Sequence, residues 1–243
     1  MHFIVLDTAD ARGSVALFEN GGLIRIEPHS NDEDYSSWLL PAVHRSLEAS
    51  GLSLAQLDGY AVCAGPGSFT GLRVGLTTVK AWSEIYSKPI AALSRLAALA
   101  AGPTAAPEVA EPFLAACIDA RRGQLFAALY ENSSHGVQPA SEESVISPSE
   151  FVLAVTKQAG GRTVRWRTPD PELLQAVPEW HELAGAGHLL EPVHPPFADR
   201  LGWVAYRKFS TGDVTDAFSL DANYVRRSDA ELFWKDNRSA VKA

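Results

Sequence analysis

The sequence predicts an α/β fold with two halves, each of which begins with a β-meander. A short apolar run ends in an aspartate at Asp7, and a second one ends at Asp119. An alternating strand follows each run, and amphipathic or apolar helices come later in each half. Apolar residues make up 46% of the 243 residues and charged residues 21%, which is typical of a folded chain with a sizeable core.

The first half opens with three predicted strands. The run "FIVLDT" (Phe3–Thr8) is a buried strand, and "GSVALFEN" (Gly13–Asn20) alternates between apolar and small or polar residues. The dipeptide Asn20-Gly21 is a hairpin turn signal, after which "LIRIEPH" returns as the third strand.

A helix is predicted from about residue 34 to residue 50, with Gly51 as its stop. Pro41 lies inside this segment and predicts either a kink or a helix that starts near Leu40. A buried strand (Gly59–Gly65) follows, and a long helix from about residue 70 to residue 87 comes next. The strand "IAAL" and the helix "SRLAALAA" complete this half.

A stretch rich in Ala, Pro and Gly (Ala101–Pro112) predicts a linker or a long surface loop. The next segment, Phe113–Asn132, repeats the opening hairpin, because both hairpins contain a strand ending in Asp, an Arg-Gly turn and an alternating strand ending at Glu-Asn. Beyond it, "SPSEFVLAV" is typical of a capped helix, and "FADRLGWVAYRKFSTG" is an amphipathic helix that stops at Gly212. The segment His188–Pro196 is interpreted as a loop with solvated histidines.

Two halves of this kind predict a ribonuclease-H-like, actin-like fold. The second half looks too short to be a full copy, and we expect it to be reduced. The predicted division is 1–102, with the glycine loop and two apolar helices, and 113–243, whose tail returns to the first half.

Composition and charge exclude several classes of function. The net charge is −8 and the pI about 5.4, so the chain is not expected to bind nucleic acid on its own. Two cysteines in apolar runs favour reduced thiols. The first ten residues lack the pattern of a signal peptide, and no apolar stretch is long enough to span a membrane, which predicts a cytoplasmic protein.

The loop "CAGPGSFTG" between a strand and a helix is the most distinctive stretch. Its glycines Gly65, Gly67 and Gly71 fit neither the G-x-G-x-x-G nor the G-x-x-x-x-G-K-[ST] spacing, so no nucleotide motif is present. Backbone N–H groups at a helix N-terminus can still hold an anion, and Gly67, Ser68 and Asp7 are the candidate contacts. A purely structural turn is the alternative, since strand-end aspartates such as Asp7 and Asp119 commonly cap turns.

The helix after this loop is apolar over more of its surface than packing on one sheet requires. Its polar residues share one narrow arc: Arg73, Thr77, Lys80 and Glu84. Gly71 and Gly75 lie four residues apart, so they form a flat strip on the helix surface that could let another helix approach closely. Either the two helices of the first half pack on each other and under the second half, or they form a surface for a partner.

Groups suited to metal or nucleophilic chemistry are missing from the sequence. No two histidines lie four residues apart on a predicted helix, and H-E-x-x-H, C-x-x-C and G-x-S-x-G do not occur. We therefore predict no metal site, no cofactor and no catalytic residue.

Four stretches together resemble the TsaB (YeaZ) family: "AGPGSFTGLRVGLTTVKAWSE", "ALSRLAALA", "IDARRGQLFAALY" and "NYVRRSDAE". The similarity spans the chain and is weak between about residues 137 and 197. It implies an actin-like ATPase fold and a non-catalytic subunit that pairs with the TsaD transferase. The implied process is the synthesis of N6-threonylcarbamoyladenosine (t6A) at position 37 of tRNAs, with a TsaE-like ATPase as a further partner and tRNA contacted only indirectly.

The resemblance also implies where the partner binds. The two apolar helices of the first half would pack against the same helices of TsaD, or of a second TsaB. The residues expected on or near this interface are Tyr35, Trp38, Leu39, Gly71, Leu72, Gly75, Thr78, Val79 and Trp82. The usual "HSE-x-LLP" of the family reads "YSSWLLP" here, with Tyr35 in place of the histidine, so the local detail of the interface differs.

Two rival interpretations stay open from the sequence. The first is a catalytically active member of the same fold, either an ATPase or carbamoyl transferase or a metallo-glycoprotease-like enzyme. The second is a regulatory homodimer that uses the same helices on itself.

Overall fold

Two mixed β-sheets form the framework of the protein. The structure, a computed structural model, describes residues 1–30, 33–102, 112–133 and 136–226. The first sheet has the order β3-β2-β1-β4-β5. Strand β1 is antiparallel to β2 and parallel to β4. The strands are β1 (His2–Asp7), β2 (Ser14–Glu19), β3 (Gly22–Pro28), β4 (Gly59–Gly65) and β5 (Ile90–Ser94). Asn20 and Gly21 both have positive φ, 49° and 83°, as the predicted hairpin turn requires.

The second sheet repeats this order as β8-β7-β6-β10-β11, with β9 also paired to β7. Its strands are β6 (Phe113–Arg121), β7 (Gln124–Ser133), β8 (Gly136–Pro139), β9 (Ser144–Ile146), β10 (Val164–Thr168) and β11 (Leu189–Pro192). The repetition confirms the ribonuclease-H-like, actin-like fold and the echo between the two opening hairpins. All five strand positions are present, so the expected shortness of the second half does not affect its sheet.

One expectation for this half is wrong. The segment 188–196, interpreted as a loop, contains strand β11, which pairs in parallel with β10. The prolines that suggested a loop lie at and beyond the end of the strand, where no further ladder bonds are needed. His194 is exposed as expected, whereas the ring of His188 is half-buried and lies 3.4 Å from Trp166 Nε1.

The α-helices described in the first half are α1 (Tyr35–Glu48), α2 (Phe69–Tyr86) and α3 (Arg95–Ala101), and a short 3-10 helix spans Leu54–Gln56. Helix α1 begins six residues before Pro41, so the later start near Leu40 is excluded. Pro41 lies on the exposed side of the helix. Ser68 and Ser94 cap α2 and α3, because their side chains accept hydrogen bonds from Gly71 N and Ala97 N.

Four helices follow in the second half: α4 (Pro148–Ala159), α5 (Glu172–Gln175), α6 (Pro178–Gly185) and α7 (Ala198–Thr211). Helix α4 starts with a capping box between Ser147 and Glu150, and α7 stops at Gly212, which has a φ of 73°. The predicted linker, Ala101–Pro112, starts at the last residue of α3, and its residues 103–111 lie outside the described residues, as do residues 227–243 of the tail. In the part of the chain that is described, no helix has the length and apolar character needed to cross a membrane.

Helices cover both faces of the first sheet. Phe3 on β1 contacts Phe209 of α7, whereas Val62, which pairs with Leu6, lies next to Gly75 of α2. Because alternate residues of a strand point to opposite faces, α2 and α7 lie on opposite sides of the sheet. Helix α1 lies beside α2 and covers β2 and β3. The first half therefore completes its core with a helix from near the end of the described chain.

Helix α3 lies between the two sheets. Its residues Leu96 and Leu99 share a buried apolar cluster with Leu114, Ala116 and other residues of β6 and β7. The opposite face of the second sheet packs on α4 and α6 in a separate cluster. A helix that belongs to the first half by sequence thus supplies the inner layer of the second half.

The glycines of α2 face their own sheet. A Cβ atom at Gly71 would lie 2.0 Å from the carbonyl oxygen of Thr8, and one at Gly75 would lie 2.6 Å from Thr8 Oγ1. The glycine strip that suggested close approach by another helix therefore packs against Thr8 of the same chain. It lets α2 press against the end of β1, where Thr8 Oγ1 donates a hydrogen bond to Gly71 O at 2.7 Å.

Gly71→Ala is expected to lower the free energy of unfolding by about 2–3 kcal/mol, because the new methyl group would overlap backbone that cannot move away easily. Gly185→Ala in α6 is the matched control, since a Cβ atom there meets nothing within 4 Å. Chemical denaturation of both variants measures the difference. Equal stability of the two variants would mean that α2 does not press on Thr8 in this way.

Candidate functional site

A cleft of about 580 Å³ separates the two halves. Its walls are the turn after β1, the glycine loop after β4, the end of β6 and the segment after β10. Ligands of open α/β sheets bind at the carboxyl ends of the strands, so this is the place where the fold would hold a ligand.

The glycine loop lines this cleft, but its backbone packs against the turn that follows β1. Ser68 N donates to Ala9 O at 2.6 Å, and a Cβ atom at Gly67 would lie 2.4 Å from the same oxygen. Ser68 Oγ accepts a hydrogen bond from Gly71 N. Of the three predicted anion contacts, Gly67 and Ser68 therefore reach the cleft, but the N–H of Ser68 is already bonded.

Asp7 is the third predicted contact, and it is completely buried, with 0% of its surface exposed. Arg95 of α3, which is 1% exposed, lies beside it, with Nη2 3.3 Å from Asp7 Oδ2. The same guanidinium places Nη1 2.7 Å from Asp10 Oδ2, and its other face lies over the ring of Phe197. Arg95 thus joins two carboxylates at the base of the cleft.

The pKa values of this group follow from burial and charge. Burial raises the pKa of Asp7, and the attraction of Arg95 offsets this only in part. Burial would also raise the pKa of Asp10, but attraction and hydrogen bonds from Arg95 and Arg12 lower it well below its usual range. Burial would lower the pKa of Arg95, but Asp7 and Asp10 together raise it, so Arg95 stays charged.

The cleft carries balanced charge. Four of the residues that line it are arginines and four are carboxylates: Arg12, Arg95, Arg121 and Arg226, and Asp10, Asp119, Asp170 and Glu172. Asp119, the echo of Asp7, pairs with Arg121 at 3.2 Å. A site of this composition has no excess positive charge to attract a phosphate group. Among the described residues, no group of three or more His, Cys, Asp or Glu side chains is arranged to hold a metal ion.

The residues predicted at the partner interface divide into two groups. Most are buried within this chain: Trp38, Leu39, Gly71, Leu72, Gly75, Val79 and Trp82. Tyr35 and Thr78 are partly exposed. The large apolar side chains that α1 and α2 expose are instead Leu40 and Ile85, which are 57% and 69% exposed. The buried residues hold the two helices on the sheet, and the interface predicted for the nine residues stays a prediction.

Tyr35 also has a role inside the chain. Its hydroxyl group donates to the carbonyl oxygen of Asp10 and accepts from Gly13 N at 2.9 Å, so it fixes the turn between β1 and β2. The ring stacks on His29 with 4.1 Å between centroids. Burial and the nearby Asp7 raise the pKa of the phenol, which keeps it a neutral donor.

Sequence reasoning named Asp7 but missed the charged residues around it at the base of the cleft. Arg95 stands alone in the apolar stretch "LSRLAALA", and a single arginine in a short buried helix is a signal for an ion pair. Asp10 and Arg12 lie in the "DARG" turn that was noted only as part of the echo. Asp170 follows β10, and nothing in the sequence connects it to that turn.

Comparison with known proteins shows which family the chain belongs to. The family model described as "TsaD: tRNA N6-adenosine threonylcarbamoyltransferase" matches residues 18–171. The chain belongs to this family. The tRNA threonylcarbamoyladenosine biosynthesis protein TsaB of Escherichia coli K12 is 28% identical over 97% of both chains. The structure titled "YeaZ from Pseudomonas aeruginosa" superposes with a TM-score of 0.73 at 26% identity, over 92% of this chain and 99% of that one.

Within the family, full-length similarity places the chain with the TsaB (YeaZ) proteins, as its motifs predicted. The tRNA N6-adenosine threonylcarbamoyltransferase of Afipia carboxidovorans is 41% identical, but over 71 residues that cover 29% of this chain and 20% of the transferase. The similarity to TsaB proteins thus extends over the whole chain, whereas the similarity to this transferase is local.

Arg95→Met is expected to lower the free energy of unfolding at pH 7 by about 3–5 kcal/mol, because the buried Asp7 loses its cation and Asp10 keeps only Arg12. The depressed pKa of Asp10 adds stability above the unfolded value of about 4 and loses it as the pH falls. Without Arg95, both carboxylates would take up protons more readily, so the loss should shrink as the pH approaches 4. Denaturation at several pH values measures it.

Arg45→Met is the control, since Arg45 is exposed and pairs with Glu27 at 3.3 Å on the surface. Its effect should stay below about 1 kcal/mol at every pH. A loss in Arg95→Met that does not change with pH would show that Arg95 contributes by packing and not by charge.

Proposed function

We propose that this protein is a non-catalytic scaffold subunit of the complex that makes t6A at position 37 of tRNAs, and that it pairs with the TsaD transferase. The observation that carries the proposal is the similarity to a TsaB protein over 97% of both chains, against local similarity to a transferase. The family model for the transferase itself spans residues 18–171 of this chain, which supports a shared origin of the two subunits.

The cleft supports the non-catalytic part of the proposal. A phosphate-binding site of this fold needs free backbone N–H groups and a carboxylate that can face a cation. Here Ala9 O takes the N–H of Ser68, and Arg95 takes the cation position beside Asp7. Freeing the N–H of Ser68 for a nucleotide would break a backbone hydrogen bond, and moving Arg95 away from Asp7 would separate buried charges, which is costly.

The proposed contact with TsaD is the outer surface of α1 and α2. Leu40 and Ile85 are exposed on these two neighbouring helices, and large exposed apolar side chains on adjacent helices are typical of a protein–protein interface. The predicted residues beneath them, such as Trp38 and Trp82, keep the helices in position. A second copy of this chain is the alternative occupant of the same surface.

The other partners follow from the same assignment. A TsaE-like ATPase would join the complex, and tRNA would be contacted through TsaD, because the net charge of −8 opposes direct binding. A complex that modifies tRNA would work in the cytoplasm.

The assay mixes the purified protein with TsaD of the same organism, measures the mass of the complex by light scattering and follows t6A formation on tRNA. A stable heteromer is expected, with modification that requires both proteins and no activity from this chain alone. Modification or ATP hydrolysis by this chain alone would refute the scaffold role and favour the enzyme interpretation.

The surface is tested with Ile85→Asp and Leu40→Asp, each of which places a charge where a partner would bury an apolar side chain. Both should weaken TsaD binding by at least about 10-fold, as expected for a central interface residue. Leu153→Asp is the matched control, since Leu153 is 55% exposed on α4 in the second half. If Ile85→Asp and Leu40→Asp bind TsaD as tightly as Leu153→Asp does, the partner uses a different surface.

A further inference from the structure

One arginine side chain spans the cleft between the two halves. Arg12 lies in the turn after β1, and its Nη2 is 2.9 Å from Asp10 Oδ2 in the same turn. Its Nη1 is 2.8 Å from Asp170 Oδ1, which follows β10 in the second half. A single guanidinium group therefore bonds carboxylates on opposite walls of the cleft.

Arg12 and Asp170 are each held in place by hydrogen bonds within their own half of the chain. Arg12 N donates to Asp10 Oδ1 at 2.8 Å, and Arg12 Nε donates to Asp10 Oδ2 at 3.2 Å. On the other wall, Asp170 Oδ2 accepts from Asp119 N at 2.9 Å, and Asp170 N donates to Thr168 Oγ1. Because neither side chain needs much further ordering, the bridge avoids most of the entropy cost that weakens surface ion pairs.

The surroundings strengthen the bridge further. Asp170 is mostly buried, and burial alone would lower the pKa of Arg12, but its bonds to Asp170 and Asp10 raise it. The planar fork of arginine can serve two carboxylates at once, which a lysine cannot do with the same geometry.

The bridge is the outer end of a longer series of charges. Asp7, Arg95, Asp10, Arg12 and Asp170 alternate in sign from the core of the first half to the wall of the second. In this series, the contacts up to Arg12 lie within residues 1–102, and the last one crosses the cleft. A rotation of the two halves relative to each other would break the Arg12–Asp170 contact and leave the other ion pairs of this series intact.

The base of the cleft, where α3 begins at Arg95, has the properties of a hinge. There α3 packs between the sheets, and Arg167 Nη1 donates to Ala100 O at 2.7 Å near the end of the helix. Movement about this packed helix would change the width of the cleft most at its open side, where Arg12 lies. Two-lobed α/β proteins commonly close their cleft around a ligand.

We propose that the Arg12–Asp170 bridge is a latch that holds the two halves at one opening angle without help from a bound ligand. The protein then keeps a fixed shape whether or not a ligand enters the cleft. This inference does not depend on the identity of the partner.

Spin labels on the two walls test the latch. Thr70→Cys and Gln175→Cys introduce exposed sites beside the cleft residues Phe69 and Glu172, and the native Cys63 and Cys117 are buried. Distances between the labels are measured by pulsed electron paramagnetic resonance. The otherwise unchanged protein should give one narrow distribution, whereas Arg12→Gln and Asp170→Asn should give a broader distribution with a longer mean.

The variant Asp170→Asn keeps an oxygen for the N–H of Asp119, so it removes the charge with little other change. Arg25→Gln is the control, because the pair of Arg25 with Glu27 lies within the first half. Arg12→Lys keeps the charge without the fork and should give an intermediate distribution. Distributions in Arg12→Gln and Asp170→Asn that match the Arg25→Gln control would overturn the proposal, and circular dichroism confirms that each variant is folded.

Discussion

The burial of Arg95 between Asp7 and Asp10 is the constraint on which the rest of the cleft depends. A guanidinium that is 1% exposed must keep carboxylates beside it, so the end of β1 and the following turn are fixed relative to α3. Helix α3 in turn packs on β6 and β7, so it connects this ion pair to the second sheet. The cation beside Asp7 is thus part of the chain, and the base of the cleft is built around it.

A cation that is part of the chain differs from a bound ion because it cannot dissociate. Ions and nucleotides exchange with solution, whereas Arg95 cannot leave. The glycine loop has the same character, since Ala9 O holds the N–H of Ser68. Part of the loop in which the sequence predicts an anion contact is therefore bonded within the chain.

Most of the fold could be predicted from local patterns. Asn20-Gly21, the caps at Ser68 and Ser147 and the stop at Gly212 each act over a few residues, and the corresponding elements are where the sequence placed them. Strand β11 was missed because prolines dominate its surroundings. The contacts at the cleft could not be predicted, since Arg12 and Asp170 are 158 residues apart and only the relative placement of the two sheets brings them together. The predicted interface meets a related limit: periodicity shows that a helix is apolar, but not which apolar side chains its own sheet buries, so the assignment of these residues to an interface stays a prediction.

The position of α7 in the chain has a consequence for synthesis on the ribosome. The first sheet is made early, yet one of its faces is covered by Leu201 and Ala205, which emerge after more than 190 other residues. Until then, Phe3 and its neighbours on that face have no permanent cover. The nascent chain must therefore protect an apolar surface through most of its translation, which makes the first half a natural client for chaperones that act during synthesis.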